Sequence, residues 1–220
     1  MSKRTRIVLV RHGQTAWNRE ARFRGRADLP LDAFGRRQAR ATGRYLAERW
    51  PVQAVYSSPM QRAMQTAEAI AAIASIAATA SIADAHRLAA EPFDGLLDID
   101  FGEWQGHSPE ELEKRHPELL RAWVNAPHTV QFPGGENLGD VRDRVVLGLD
   151  QILERHPGQT VAMVGHTVVN RVLLCAVLGL GNDHFWRLQQ ETCAVNVFDA
   201  APDGTFTIVA LNDTCHLQDL

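Results

Sequence analysis

Ile7-Val8-Leu9-Val10 is an unbroken β-branched and leucine run. A strand wet on one face alternates apolar with polar residues, so an unbroken run predicts a strand covered on both faces, as in a parallel sheet packed between helices. Val52 to Tyr56, ending at Ser57-Ser58-Pro59, and Val161-Ala162-Met163-Val164, ending at Gly165-His166-Thr167, repeat the pattern. Helical spacing appears between and after them. Val141, Val145, Leu149 and Ile152 recur every three or four residues and are closed by His156-Pro157-Gly158. Ser58, Pro59 and Gln61 predict a helix start with Ser58 as N-cap, which places Arg62 in the first turn. Ser108-Pro109-Glu110-Glu111 predicts a second start, with a helix running towards Trp123. Val168 to Leu178, polar only at Asn170 and Arg171 and stopped by Gly179, predicts a largely buried helix. Ala194 to Asp199 and Phe206 to Leu211 predict a terminal hairpin at the sheet edge. The alanine-rich stretch Ala67 to Ala85 fits either helix throughout or helix followed by loop. Alternating strands and helices, with the hairpin at the end, predict an α/β fold: a three-layer α/β/α sandwich around a mostly parallel sheet with an antiparallel edge strand.

Bulk properties narrow the chemistry. The chain has 220 residues, 45% of them hydrophobic, and neither repeat nor linker divides it, so one domain over residues 1–220 is expected. Twenty-three lysines and arginines against 26 acids give a net charge of -3, which argues against a general nucleic-acid or acidic-membrane binder. Any anion affinity has to be local. Cys175, Cys193 and Cys215 are widely spaced and form no CxxC pair, as expected of a reduced, cytoplasmic protein. The apolar run behind the basic Lys3-Arg4-Thr5-Arg6 is too short for a signal peptide. Ala69 to Ala83, interrupted by Ser75, Thr79 and Ser81, is too short for a membrane span of about 20 residues.

In an open parallel sheet, ligands bind beyond the carboxyl ends of the strands, where loops enter helix N-termini. Three strand ends deliver candidates there: Arg11 and His12, then Arg62, then His166. A cation abutting Ile7 to Val10 is costly unless paired, and a histidine following a buried strand needs a partner. Arg62 alone fits a solvated position on an amphipathic helix equally well. His86, His107, His116, His128, His156, His184 and His216 lie in polar or turn-like surroundings and are assigned no role. Two histidines and two arginines arriving by separate routes, with helix N-termini beside them, describe an anion site suited to phosphate. Other chemistries lack their signatures. There is no HExxH or paired CxxC for zinc, no P-loop, and no G-x-S-x-G elbow; Gly179-Leu180-Gly181 follows a helix rather than a strand.

An ordered series of segments carries a family resemblance over almost the whole chain. It runs from Val8-Leu9-Val10-Arg11-His12-Gly13-Gln14-Thr15-Ala16-Trp17-Asn18 through Gly25, Pro30-Leu31 and Gly35-Arg36-Arg37-Gln38-Ala39. It continues with Ser57-Ser58-Pro59, Arg62, Thr66-Ala67, Phe101-Gly102-Glu103-Trp104-Gln105-Gly106, Phe132-Pro133-Gly134-Gly135-Glu136 and Val164-Gly165-His166. The series resembles the histidine phosphatase superfamily, in its phosphoglycerate mutase-like branch. The resemblance implies that His12 attacks phosphorus to form a phosphohistidine while Arg11, Arg62 and His166 hold the phosphoryl oxygens. Thr15, Asn18, Arg24 and Gly25 match positions that touch the phosphoryl group or substrate, and Thr167, beside His166, joins them as a candidate. The family's general acid falls at Asp98, three residues before Phe101-Gly102, where the branch usually carries glutamate. Asp100 and Glu103 are the nearby alternatives.

No metal and no cofactor are implied. Residues at about 104–133 are expected to form a helical insert governing specificity. True mutases bring extra cations on this insert, including adjacent arginines. Here His107 to Gln131 offers Lys114-Arg115 and Arg121 among many acids and no arginine pair. A phosphatase acting on a small phosphorylated substrate is therefore expected. A bisphosphoglycerate-dependent mutase is the alternative, and a silent phosphate-binding protein is disfavoured by the complete core set. The natural substrate and the oligomeric state are left open.

Overall fold

In chain order the elements are β1 (Thr5–Arg11), α1 (Ala16–Arg19), α2 (Ala33–Arg49), β2 (Ala54–Ser57), α3 (Gln61–Thr79), β3 (Ala90–Pro92), α4 (Pro109–Arg115), α5 (Pro117–Asn125), α6 (Leu138–Arg155), β4 (Thr160–Gly165), α7 (Thr167–Val177), β5 (Val195–Ala200) and β6 (Phe206–Asp213). They come from a computed structural model that describes residues 4–79 and 88–220. His86 and the end of the alanine-rich stretch, Ala80 to Ala85, lie outside the described residues.

The strands form one sheet in the order β3-β2-β4-β1-β5-β6. β3, β2, β4 and β1 are mutually parallel, with β1 and β4 in register from Arg6↔Thr160 to Arg11↔Gly165. β5 runs antiparallel to both β1 and β6, so the reversal is confined to the hairpin end of the sheet. Successive side chains point to opposite faces, and each face has its own core. Ile7, Leu9, Val161 and Met163 pack with α6, α7 and the aromatic residues around Trp104 and Phe132. Val8, Val10, Ala162 and Val164 pack with Leu46 of α2 and the alanines of α3. Helices therefore cover both faces, which is why the strands carry no polar alternation. Ile7 to Val10 are all 0% exposed. Burying each such side chain contributes about 1.5–3 kcal/mol.

Three local expectations shift. The second strand is Ala54–Ser57 rather than Val52 to Tyr56. Its helix starts at Gln61 rather than after Ser58, because the first intrahelical hydrogen bond is accepted by the Met60 carbonyl, from the Met64 N–H at 2.9 Å, while the Ser58 N–H still extends the sheet ladder to the Val164 carbonyl at 3.0 Å. The first-turn hydrogen bond comes instead from Asp28, whose carboxylate accepts from the Gln61 N–H at 2.7 Å. The helix opened by Ser108 has the expected capping box with Glu111, but His116-Pro117 breaks it into α4 and α5. Proline has no N–H to donate and disfavours helical geometry in the residue before it.

Candidate active site

Because β2, β4 and β1 are consecutive in the sheet, their carboxyl ends open side by side. His12 directly follows β1, and its N–H extends the ladder to the Gly165 carbonyl at 3.0 Å. His166 is the N-cap of α7. Arg62, in the first turn of α3, donates from Nε to His166 Nδ1 at 3.2 Å. The two imidazole rings lie 5.2 Å apart, centroid to centroid. After His12 the chain turns against α2, and a Cβ on Gly13 would stand 2.7 Å from the Gly35 carbonyl oxygen. Only glycine allows that backbone approach.

Neighbouring groups fix the two rings in opposite tautomers. The Gly13 carbonyl lies 2.7 Å from His12 Nδ1 and can only accept, so Nδ1 carries the proton and Nε2 keeps its lone pair. His166 Nδ1 accepts from Arg62, so its Nε2 carries the proton. Among the described residues both Nε2 atoms are buried without a hydrogen-bond partner, as are Nε of Arg11, Nε of Arg24 and Oγ1 of Thr167. Burial, reinforced by the charges of Arg62, Arg11 and Arg24, holds His12 well below the usual imidazole value of 6.5. Burial and Arg62 do the same to His166. Burial, with Arg24 nearby, lowers Arg11 to about 9, so it remains a cation at neutral pH.

Asp98 completes the cluster. Its Oδ2 lies 3.0 Å from Arg62 Nη2 and 3.5 Å from His166 Nδ1. The side chain is buried, and that burial raises the carboxyl above its ordinary 3.8 against the opposing pull of Arg62 and Arg24. Arg62 is held by the Ala27 and Gly25 carbonyls as well, each at 2.7 Å, so its guanidinium is fixed in position. Gly25 contributes through its backbone, at φ +50, in the left-handed region that favours glycine.

A cavity of about 260 Å³ adjoins these groups, shared by Asp98, Thr167 and Arg24 with Trp123, Phe185 and Trp186. Thr15 and Asn18 stand apart from it. Asn18 Oδ1 accepts from both N–H and Oγ1–H of Thr15, at 2.9 and 2.8 Å. Among the described residues no hydrogen bond links this pair to His12, Arg62, Asp98 or His166. Also among the described residues, no group of three or more His, Cys, Asp or Glu side chains is placed to hold a metal ion, and no helix is long and apolar enough to cross a membrane.

The sequence profile of the histidine phosphatase superfamily (branch 1) matches residues 7–214. The chain belongs to this superfamily. Phosphoserine phosphatase 1 of Hydrogenobacter thermophilus is 35% identical over 97% of the chain and 95% of its own length. Phosphoglycerate mutase-like protein 4 of Arabidopsis thaliana is 31% identical over 97% of the chain and 87% of its own length. The solved structure of Bacillus stearothermophilus YhfR superposes with a TM-score of 0.85 at 30% identity, covering 97% of this chain and all of that one. The protein is thus a histidine phosphatase in fold and in enzyme class.

In this histidine phosphatase the two nearby acids are differently employed. Asp100 Oδ1 accepts the Gly102 N–H at 2.8 Å, and Glu103 is exposed. Neither borders the cavity; Asp98 does. The loop bearing Asp98 is tied down by two residues whose part was not apparent from the sequence. Glu136 accepts the Asp100 N–H at 2.8 Å and pairs with Arg144 at 3.1 Å. Arg144 in turn donates to the Asp98 carbonyl at 3.2 Å. The signal available in sequence was the Phe132 to Glu136 segment, which resembled the family without showing what its glutamate holds.

Proposed function

We propose that this protein hydrolyses small phosphomonoesters through a phosphohistidine formed on His12. The observation that carries the proposal is an imidazole nitrogen kept unprotonated, buried and unpaired amid Arg11, Arg24 and Arg62, with one carboxyl of raised pKa bordering the adjoining cavity. His12 Nε2 attacks phosphorus, the ester P–O bond breaks, and Asp98 gives its proton to the leaving oxygen, releasing the alcohol. Arg11, Arg62 and the Nε2–H of His166 stabilise the phosphoryl oxygens as charge shifts onto them. Asp98, now ionised, takes a proton from water, whose oxygen attacks phosphorus and breaks the P–N bond. Phosphate leaves, His12 is neutral again and Asp98 is protonated. No step calls for a metal or a cofactor. Arg24, Gly25 and Thr167 bind at or beside the phosphoryl group, while Thr15 and Asn18 support the loop after His12.

Hydrolysis is favoured over mutase chemistry by the segment at about 104–133, which we regard as a helical insert in one domain spanning residues 1–220. It lines the cavity with Pro109 and Trp123 and contributes no cation there. Arg115 is instead bonded to His107 at 3.1 Å on the exposed side. The free thiols of Cys175, Cys193 and Cys215 suit a cytoplasmic setting.

Rapid quench during turnover of phenyl phosphate tests the mechanism. The wild type should yield an acid-labile, base-stable phosphoprotein, and His12→Ala should yield none, with hydrolysis lowered by roughly a thousandfold or more. Turnover by His12→Ala at the wild-type rate would refute the assignment.

A further inference from the structure

Arg171 lies outside every role described so far. It sits on α7 four residues after Thr167, so the two share one helix face about one turn apart, with Cβ atoms roughly 5–6 Å from each other. Both border the cavity that contains Asp98. The Arg171 guanidinium lies over the rings of Phe185 and Trp186, at 5.1 and 4.8 Å from their centroids. Its Nε donates to the Leu188 carbonyl at 2.6 Å, which fixes the plane, and among the described residues the two Nη groups have no hydrogen-bond partner. Among the described residues it makes no ion pair. Glu191, the acid that acts on it through space, is exposed and accepts from the Gln189 amide at 2.6 Å.

Charge balance points the same way. Arg11, Arg24, Arg62 and Arg171 converge on this end of the sheet, His12 and His166 are neutral, and Asp98 is the one buried acid among them. A phosphoryl dianion matches two of those cations and leaves positive charge at the aromatic end of the cavity. Arg22, also on the cavity wall, is already occupied by Glu20 and Glu111.

We propose that Arg171 is a specificity-determining residue that binds a carboxylate on the leaving alcohol. The preferred substrates are then phosphomonoesters in which a short, apolar or aromatic spacer separates the phosphoryl group from a carboxylate. The proposal rests on the phosphohistidine reading of the same site and names its substrate class. A carboxylate fits better than a second phosphate, because one stacked guanidinium with a single free edge matches a planar monoanion. Aromatic walls from Trp123, Phe185 and Trp186 suit the spacer.

Phenyl phosphate and 3-carboxyphenyl phosphate form a matched pair of probes. For the wild type, kcat/KM should favour the carboxylated ester by roughly tenfold, expressed mainly in KM, the scale of one charge-assisted pair at a partly buried site. In Arg171→Leu that ratio should fall to about one, whatever the change in absolute rates, and Arg171→Lys should restore part of it. The wild-type ratio needs no variant to fold, so it tests the proposal by itself. Equal turnover of both probes by the wild type, or an unchanged ratio in Arg171→Leu, overturns the role of Arg171 and leaves the phosphatase reading intact. Turnover of neither probe, with no phosphoprotein trapped, overturns both.

Discussion

His12 and His166 are the same residue type at the same kind of place, the carboxyl end of a buried parallel strand, yet their partners make them different reagents. A carbonyl opposite Nδ1 leaves the lone pair of His12 on Nε2, as the proposed nucleophile requires, and a guanidinium opposite Nδ1 puts the proton of His166 on Nε2, as the proposed donor requires. Asp98 is tuned in the other sense. Burial favours its protonated form, which is the form a leaving alkoxide requires. Turnover should therefore rise with pH as His12 loses its proton and fall as Asp98 loses its own. Asp98→Asn should abolish the falling limb in a pH profile of kcat/KM. It should also slow alkyl phosphates by about 10²–10⁴-fold and nitrophenyl phosphate much less, because a good leaving group needs little protonation. Equal losses in kcat/KM, which reports phosphoryl transfer to His12 and not the later attack by water, would remove Asp98 from the role of acid. The sequence showed which residue types end each strand. It could not show tautomers, which depend on atoms brought in from Gly13 and Arg62.

At the scale of elements, the loop at residues 25–28 does two jobs at the start of α3. Gly25 and Ala27 carbonyls hold Arg62, and Asp28 caps the first turn through the Gln61 N–H and the Gln61 side-chain amide, the latter at 3.0 Å. The sequence pointed to Ser58 because local capping rules see neighbouring residues, whereas Asp28 arrives from far along the chain. Asp28→Ala should cost about 1 kcal/mol in a denaturant titration, with Asp28→Asn retaining most of it. Because the same loop positions Arg62, the alanine variant should also lower kcat/KM for phenyl phosphate, with the loss expressed in kcat. Stability equal to wild type in Asp28→Ala would place the cap elsewhere. The break at His116-Pro117 was written in the sequence, yet the capping signal at Ser108 and the apolar spacing up to Trp123 favoured one helix. Proline's effect on its preceding residue decided otherwise.

For the whole molecule, burying two neutral imidazoles links folding to pH. Unfolded histidines take up protons near 6.5, whereas folded His12 and His166 do so only well below that value. Between those limits the unfolded chain binds more protons, so stability rises with pH and is lost as pH falls below about 6.5, by up to about 1.4 kcal/mol per pH unit for each ring. Asp98 carries the opposite sign: its contribution is present at low pH and is lost as pH rises through its raised folded value. Melting temperatures measured from about pH 7 down to about pH 5 should fall less steeply for His166→Asn than for the wild type. Parallel curves would mean that His166 folds with its proton.

The sequence by itself determined the parallel strands, the terminal hairpin and the ordered segments that place Arg11, His12, Arg62 and His166 at strand ends, because each of these is a short-range pattern. Only the tertiary structure decided that β4 stands between β2 and β1, that Asp98 rather than Asp100 or Glu103 borders the cavity, and that Arg171 faces the same space. Those outcomes depend on which strand ends become neighbours and on which charges lose their water together. Both are fixed by packing between segments far apart in the chain.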